Sequence, residues 1–468
     1  MITEVINKMI LSQDQEKALE QMNAWISAVK RNRDNSIFFA LSGYAGTGKT
    51  TLVKTFLQMI SKLGYISSRV CICAPTHKAK KVLQNKTGWK NAETLQALLG
   101  LKLDISLDEF DPNNPAFSAI GDRKIKDYDV VVVDEASMIN SQLYITIVEC
   151  AISTGTKVLF VGDTKQLNPV KEYTISPALI TPDNKYQLTE IIRQKDTNPL
   201  IILLDIIRKD IDEGTNNFME HLTKTAISMN YDTGEGYIVN NSEDLMANVM
   251  NEFRKDEFKI DKNYCRYIAW TNDSITKTNN WIRKTVFEKT IQLDKGELLL
   301  GYRTIADQKK GVLLTNSEDY EVLETNETYN NEYGIDCIQI KLKCIDNNNV
   351  TTLMLVKETV SNEEKFVDIL SELLKTAYAR RGKAWKDFFA FRDSFVILKQ
   401  FSNSRKELLS KKDADFGYGI TIHKSQGSTY NRVFVNGKNI NLNKNDLERK
   451  RLWYVALSRA SKMCYILL

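Results

Sequence analysis

The 468-residue sequence predicts an α/β protein with two parallel-sheet domains and an inserted β module. Short apolar runs separated by helical patterns predict the parallel sheets, because parallel strands need long crossover connections, usually helices. The runs of the first sheet are 37–41, 70–73, 130–133 and 158–161, and the rhythm returns at 267–270, near 419 and at 464–468. A chain of this length can bury several hydrophobic cores.

Two segments interrupt this rhythm. Residues 102–127 contain Asp111-Pro112-Asn113-Asn114-Pro115, which is typical of turns, so a small insertion is expected there. Apolar and polar residues alternate over 338–344, and an apolar run follows at 353–356, which predicts a hairpin in a β module. We expect the first sheet domain at 1–195, the second at 196–290 and 411–468, and the inserted module at 291–410.

Composition is that of an ordinary globular chain, with 43% hydrophobic and 26% charged residues. The net charge of +5 weakly favours an anionic partner. Seven cysteines form no C-x-x-C pair, which predicts reduced thiols in a cytoplasmic protein without zinc. No signal peptide is evident, and no run of 18 apolar residues occurs, so a membrane span is not expected.

One glycine-rich run fits the pattern G-x-x-x-x-G-K-[ST] and lies between a predicted strand and a predicted helix. Glycines let backbone N–H groups surround a phosphate, and the helix N-terminus adds favourable charge. Lys49 would reach the β- and γ-phosphates, and the Thr50 hydroxyl would hold Mg²⁺. The sequence therefore predicts binding of ATP or GTP. The expected nucleotide-binding residues of this loop are Gly43, Tyr44, Ala45, Gly46, Thr47, Gly48, Lys49, Thr50 and Thr51.

An acidic pair follows the predicted strand 130–133. Asp134 at the strand tip could reach the metal, and Glu135 could polarise the attacking water, so hydrolysis is predicted and not binding alone. After the next strand, Gln166 offers an amide that could position water or sense the γ-phosphate. An ordinary surface loop explains Gln166 equally well.

Nine segments resemble, in order and spacing, the motifs of superfamily 1 class B helicases, the RecD/Dda-like group. They span residues 11 to 460, and the ordered set is far more specific than any one motif. They are 11–15, 43–50, 74–79, 134–137, 162–169, 188–193, 269–272, 421–429 and 454–460. The segment Ala384-Trp385-x-Asp387-Phe388 also resembles the accessory tower of that family.

The resemblance implies two RecA-like motor domains, with a pin in the 102–127 insertion and an SH3-like β module plus helical tower in the second domain. ATP would lie between the motors, with Gln15, Gln426 and Gly427 as further nucleotide contacts. Arg193 and Arg459 would stabilise charge on the transferred phosphoryl group. For Arg193 and for Arg459 alike, the alternative interpretation is an ordinary surface arginine. The implied activity is 5′-to-3′ translocation on single-stranded DNA, driven by ATP and Mg²⁺, with unwinding of duplex.

The expected DNA contacts lie in five regions of the chain, three of which belong to these motifs. Phe117 would be the pin aromatic at the fork, or would only anchor its loop, and Trp270 would stack on a base or belong to the core. The family has Thr-Ile-His where this chain has Thr94-Leu95-Gln96. Gln96 therefore stands in place of a histidine expected to contact DNA, and its amide can still donate a hydrogen bond. The full set is Pro75, Thr76, His77, Lys78, Thr94, Gln96, Phe117, Trp270, Asn272, His423 and Lys424.

Two other classes use the same loop. One is a motor acting on RNA, and the other is a P-loop regulatory NTPase, against which the two phosphate-directed halves argue. The resemblance implies a monomer in the cytoplasm, or in the host cytoplasm for a phage protein, engaged in phage-type DNA replication or recombination. Its expected partners are single-stranded and forked duplex DNA, with single-strand-binding or replication proteins as candidates.

Overall fold

A computed structural model describes residues 11–28, 35–103, 117–118, 121–170, 172–191, 198–307, 311–330, 332–380, 382–402 and 406–468. These residues form two compact units. The first unit contains the described residues of Met1–Gly100, Gly121–Ile275 and Ile420–Leu468. The second contains those of Leu101–Ile120 and Thr276–Gly419.

The described residues form fifteen α-helices. In chain order they are α1 (Gln13–Ser27), α2 (Lys49–Lys62), α3 (His77–Thr87), α4 (Leu95–Leu98), α5 (Ser141–Thr154), α6 (Pro177–Ile180), α7 (Leu200–Glu213), α8 (Asn217–Lys224), α9 (Ser242–Arg254), α10 (Asp256–Ile260), α11 (Asn272–Trp281), α12 (Val360–Arg380), α13 (Lys383–Asp393), α14 (Gly437–Ile440) and α15 (Asp446–Ser458).

The strands, also in chain order, are β1 (Phe38–Gly43), β2 (Val70–Ala74), β3 (Ala92–Thr94), β4 (Lys102–Leu103), β5 (Phe117–Ser118), β6 (Val130–Val133), β7 (Lys157–Gly162), β8 (Asn184–Leu188), β9 (Ile227–Asn230), β10 (Glu235–Asn240), β11 (Cys265–Ala269), β12 (Leu298–Gly301), β13 (Ile305–Asp307), β14 (Gly311–Leu314), β15 (Asp319–Asn330), β16 (Ile335–Cys344), β17 (Val350–Val356), β18 (Phe401–Ser402), β19 (Leu408–Ser410), β20 (Ala414–Phe416), β21 (Gly419–Thr421), β22 (Tyr430–Asn436) and β23 (Ala460–Leu467).

The first sheet has the order β3-β2-β6-β7-β1-β8, and every pairing in it is parallel. Strands β1, β6 and β7 are buried at every position, as continuous apolar runs with helices on both faces require. On one face, Trp25 of α1 packs on Phe39 and Phe56. Because the strands are parallel, the loops after β1, β6 and β7 emerge at one edge of the sheet.

The second sheet has the order β21-β11-β22-β23-β10-β9. The pairs β11–β22, β22–β23 and β23–β10 are parallel, while β9 is antiparallel to β10. Helix α15 lies beside this sheet, and its residues from Lys450 to Ser458 are all buried. The predicted α/β fold with two largely parallel sheets is confirmed.

The second unit is a five-stranded antiparallel sheet, β17-β16-β15-β12-β20, with α12 and α13 packed together nearby. The predicted hairpin is confirmed as β16 and β17. Its core is aromatic, with Phe366 of α12 against Phe391 of α13 at 5.2 Å between ring centroids. The Asp413 carboxylate accepts from the buried Arg392 at 2.8 Å and also pairs with Arg303.

All seven cysteines are free and buried, as predicted for thiols in a reduced protein. Across the described ranges, no helix is both long enough and apolar enough to cross a membrane. The 102–127 insertion is described only in part, with β4 and β5 pairing antiparallel as a short hairpin.

Candidate nucleotide-hydrolysis site

The glycine-rich loop runs from the end of β1 into the start of α2. Gly46 and Gly48 have φ angles of 91° and 75°, a left-handed conformation that glycine adopts without strain. A Cβ on Gly43 would lie 2.8 Å from Thr47 Oγ1, so the backbone there needs a glycine. The Lys49 ammonium donates to the carbonyls of Gly43 and Tyr44 at 2.7 and 2.8 Å, which holds it against the loop.

Gln15 supports this loop from α1. Its Oε1 accepts from Ser12 N–H at 3.2 Å, and Ser12 caps the helix in return. Its Nε2 donates to the carbonyls of Thr47 and Gly48 at 3.1 and 3.4 Å. Gln15 also lines the cavity described below. The amide that was predicted to contact nucleotide is thus engaged with the loop and with the helix cap.

The acidic pair lies where β6 ends. Asp134 Oδ1 accepts from Glu135 N–H at 2.9 Å, and Glu135 has a φ of 52°, which is uncommon for a residue with a side chain. Desolvation raises the pKa of Asp134. Desolvation and the Asp134 charge together raise the pKa of Glu135 to about 7. Two carboxylates held together in this way favour a cationic ligand between them and the phosphate loop.

The second sheet contributes residues to the same site. Arg459, at the end of α15 and 5% exposed, donates through Nη1 to the carbonyls of Ser425 and Ser428 at 3.3 and 3.1 Å. The positive charge of Arg459 lowers the pKa of Glu135, but desolvation and the Asp134 charge have larger effects and raise it. Gln426 Nε2 lies 3.5 Å from Gln166 Oε1, which joins the loop after β21 to the loop after β7.

These elements enclose one cavity of about 360 Å³. It brings together twelve of the residues predicted from the sequence, which are Gln15, Ala45, Gly46, Gly48, Lys49, Thr50, Thr51, Asp134, Glu135, Gln166, Gly427 and Arg459. Gly43, Tyr44 and Thr47 form the loop behind it, and Gln426 reaches it through Gln166. Arg193 lies outside the described residues.

The predicted DNA-contacting residues are placed less uniformly. Pro75, His77, Gln96, Trp270 and Lys424 are half-buried, and Asn272 and His423 are exposed. The backbone of Phe117 lies in β5, and its side chain is not described. Thr76 caps α3, accepting from Ala79 N–H at 3.2 Å, and Thr94 caps α4, accepting from Ala97 N–H at 3.3 Å.

Two of the predicted DNA-contacting residues are buried in this structure. Lys78 is 6% exposed and Thr94 is 7% exposed. Lys78 stands in the first turn of α3, a helix that contacts β2. The Thr94 hydroxyl is engaged in capping the backbone of α4.

Several residues at the site were not predicted. Val82 and Lys86 of α3, Asp163 after β7, and Ser458 of α15 line the cavity. Tyr454 and Arg451 of α15 contact the loop after β7. The sequence places a tyrosine and an arginine in the apolar run before Arg459, which could have marked them as site residues. Their spacing alone, however, does not show which residues they contact.

Comparison with known proteins agrees with this geometry. The model of an AAA domain matches residues 11–223, and that of the UvrD-like helicase C-terminal domain matches 416–467. The ATP-dependent DNA helicase dda of Enterobacteria phage T4 is 25% identical over 450 residues, covering 89% of this chain and 91% of that protein. The ATP-dependent RecD2 DNA helicase of Deinococcus radiodurans is 34% identical over 161 residues, or 34% of this chain and 20% of that protein.

Among solved structures, the Pif1 helicase from Bacteroides in complex with ADP-AlF3 and ssDNA has a TM-score of 0.52 and 18% identity, covering 98% of this chain and 92% of that one. The fold and the composite site define a P-loop motor of the RecA-like kind. More particularly, the chain is similar to the superfamily 1 class B helicases of the Dda and RecD type, as the ordered motifs predicted.

Proposed function

We propose that this chain, an ATP-driven DNA helicase by class, translocates 5′ to 3′ on single-stranded DNA and unwinds duplex in phage-type replication or recombination. One observation carries the proposal. A single cavity is lined by the phosphate loop and acidic pair of the first sheet and by Gly427 and Arg459 of the second. A nucleotide bound there would touch both motor domains, so its hydrolysis could be coupled to their relative movement.

The chemistry assigned to the site follows from its side chains. Lys49 would bind the β- and γ-phosphates, and Glu135 would accept a proton from the attacking water. Arg459 would stabilise charge on the transferred phosphoryl group, with Arg193 proposed as its second arginine. Gln166 and Gln426, which lie 3.5 Å apart between amide atoms, would sense the γ-phosphate from two sides.

Mg²⁺ fits the donor set of this cavity. Asp134 and Thr50 both line it, and desolvation raises the pKa of Asp134, so a cation would favour the charged carboxylate. Within the described residues no group of three His, Cys, Asp or Glu could form a metal cage. That suits Mg²⁺, which binds through one or two protein ligands together with phosphate oxygens and water. The ion would neutralise charge on the phosphates.

The strand is proposed to cross both motor domains. Exposed His423 and Asn272 and half-buried Lys424 are its expected contacts on the second, with half-buried Trp270 beside them. On the first, half-buried His77 and Gln96 support the same role, and Pro75 and Thr76 would contribute backbone contacts. Lys78 and Thr94 would need to turn outward to take part. Phe117 is proposed as the pin aromatic.

The domain limits remain a proposal. Residues 1–195 would form the first motor with the pin at 102–127, and 196–290 with 411–468 would form the second. Four strands of the antiparallel sheet (β12, β15, β16 and β17) and helices α12 and α13 support an SH3-like module with a tower within 291–410, while the fifth strand, β20, lies just beyond that limit. A cytoplasmic monomer acting on forked DNA, with single-strand-binding or replication proteins as partners, completes the proposal.

Tailed duplexes test the direction. Purified protein with ATP and Mg²⁺ is mixed with one duplex carrying either a 5′ or a 3′ single-stranded tail, and displaced strand is measured. Displacement from the 5′ tail is expected, and efficient displacement from the 3′ tail alone would contradict the polarity. Lys49→Ala serves as the inactive control.

ATPase rates separate the alternatives. The rate is compared without nucleic acid, with single-stranded DNA, and with RNA of the same sequence. Strong stimulation by DNA supports the proposal. Greater stimulation by RNA would indicate an RNA motor, and a rate that responds to neither would favour a regulatory NTPase.

A further inference from the structure

One hydroxyl joins the phosphate loop, the loop after β7 and the helix that carries Arg459. Tyr454 of α15 accepts from Ala45 N–H at 3.0 Å and donates to Asp163 Oδ2 at 2.7 Å. Its side chain is wholly buried. The residues that meet at this atom are more than a hundred positions apart in sequence; two lie in loops of the first sheet, and Tyr454 lies in the helix beside the second.

The chemistry of this hydroxyl suits a link. Burial, followed by the Asp163 charge, raises the pKa of Tyr454 well above its ordinary value, so the group keeps its proton and can donate it to the carboxylate. The second carboxylate oxygen of Asp163 accepts from Lys165 N–H at 2.9 Å. A hydrogen bond from a neutral hydroxyl to a buried carboxylate is among the stronger ones in proteins.

A second contact from the same helix leads to the same loop. Arg451, one turn before Tyr454, donates through Nη1 to the carbonyls of Thr164 and Gln166 at 2.6 and 2.5 Å. Residues three apart on a helix share a face, so one face of α15 contacts the loop that contains Gln166. Arg459 follows at the end of that helix, where it lines the nucleotide cavity.

We propose that Tyr454 is a positioning residue that sets the distance between the phosphate loop and the helix bearing Arg459. Its hydroxyl occupies Ala45 N–H, while the backbone between Gly46 and Thr50 remains to hold the phosphates. Loss of the hydroxyl should therefore disturb the placement of Arg459 and Gln166 more than the binding of ATP. The inference rests on the proposed function, because it assigns Tyr454 to the same hydrolysis site.

The test is Tyr454→Phe, which keeps the buried ring and removes only the hydroxyl. With saturating single-stranded DNA, kcat for ATP should fall about tenfold, the effect of one charge-assisted hydrogen bond, while KM for ATP stays nearly unchanged. Base pairs unwound per ATP hydrolysed should fall as well. The matched control is Tyr465→Phe on β23, which removes a buried hydroxyl that donates to Glu252 at 3.1 Å. It should keep wild-type kinetics.

Asp163→Asn keeps the test decisive if Tyr454→Phe folds poorly. It weakens the same link from the other side, and its loss of kcat should match that of Tyr454→Phe. The double variant should lose little more than either single one, since both act through one bond. Additive losses, wild-type kcat in Tyr454→Phe, or equal kinetic losses in Tyr465→Phe would each overturn the inference. Wild-type protein without DNA-stimulated ATPase would instead contradict the proposed function.

Discussion

Replacing Glu135 with glutamine isolates the chemical step from every other property of the site. The amide keeps the size of the side chain and one acceptor, but it cannot take a proton from water. It also removes the repulsion from Asp134 that contributes to the raised pKa of Glu135. The substitution should therefore leave the melting temperature unchanged or slightly higher, because it relieves an unfavourable charge pair.

The expected loss of turnover is large. Removal of a general base lowers rates by about 10²–10⁴-fold, equivalent to roughly 3–5 kcal/mol of transition-state stabilisation. ATP binding should persist, since Lys49 and the loop backbone hold the phosphates. The assay measures DNA-stimulated ATPase, affinity for a fluorescent ATP analogue, and melting temperature on the same preparations.

Glu252→Gln is the matched control. Glu252 is another buried carboxylate, which accepts from Tyr264 and Tyr465 and pairs with Arg432. Its replacement should lower the melting temperature and leave kcat intact, the reverse of the Glu135 result. Normal hydrolysis by Glu135→Gln, together with a complete loss in Asp134→Asn, would show that the base lies elsewhere.

Three further changes have defined outcomes. Lys49→Ala should abolish ATPase and unwinding with an unchanged far-UV circular dichroism spectrum, and retained turnover would contradict the site. Phe117→Ala should weaken strand displacement more than DNA-stimulated ATPase, because ATP hydrolysis needs only the two motor domains and the bound strand. Equal losses of the two activities would show that Phe117 has a structural role. Asp413→Ala leaves buried Arg392 without its carboxylate and should cost about 3–5 kcal/mol in denaturant unfolding. A loss below about 1 kcal/mol would show that the pair is dispensable.

The sequence predicted the buried strands well and the edge strands poorly. The run at 130–133 matches β6 residue for residue, because a central parallel strand is apolar on both faces. Strand β8 was not predicted. It borders the sheet beside β1, its burial alternates, and its residues Asn184 to Gln187 carry polar groups. A strand with one solvent-exposed face and four polar residues contains no continuous apolar run from which it could be predicted.

The same division applies to the site. Motifs that follow strands were predictable, since parallel strands deliver their carboxyl ends to one edge of a sheet. The burial of Lys78 and the contact of the Gln15 amide with the phosphate loop were not, because a local pattern does not show what covers a side chain or which distant loop it contacts. The link between Tyr454 and Ala45 spans 409 positions, and no local pattern encodes such a contact.

Helix α15 explains why these distant contacts matter for a motor. It is buried from Lys450 to Ser458, so it cannot shift within its own domain without disturbing the packing around it. Arg451 and Arg459 are separated by roughly 12 Å along its axis, at 1.5 Å per residue. Arg451 holds the loop of Gln166, and Arg459 faces the phosphate site. A displacement of the Gln166 loop would therefore move the helix as one body, and with it the sheet domain that carries His423 and Lys424, the proposed DNA contacts. Coupling of hydrolysis to movement would follow from the stiffness of one buried helix.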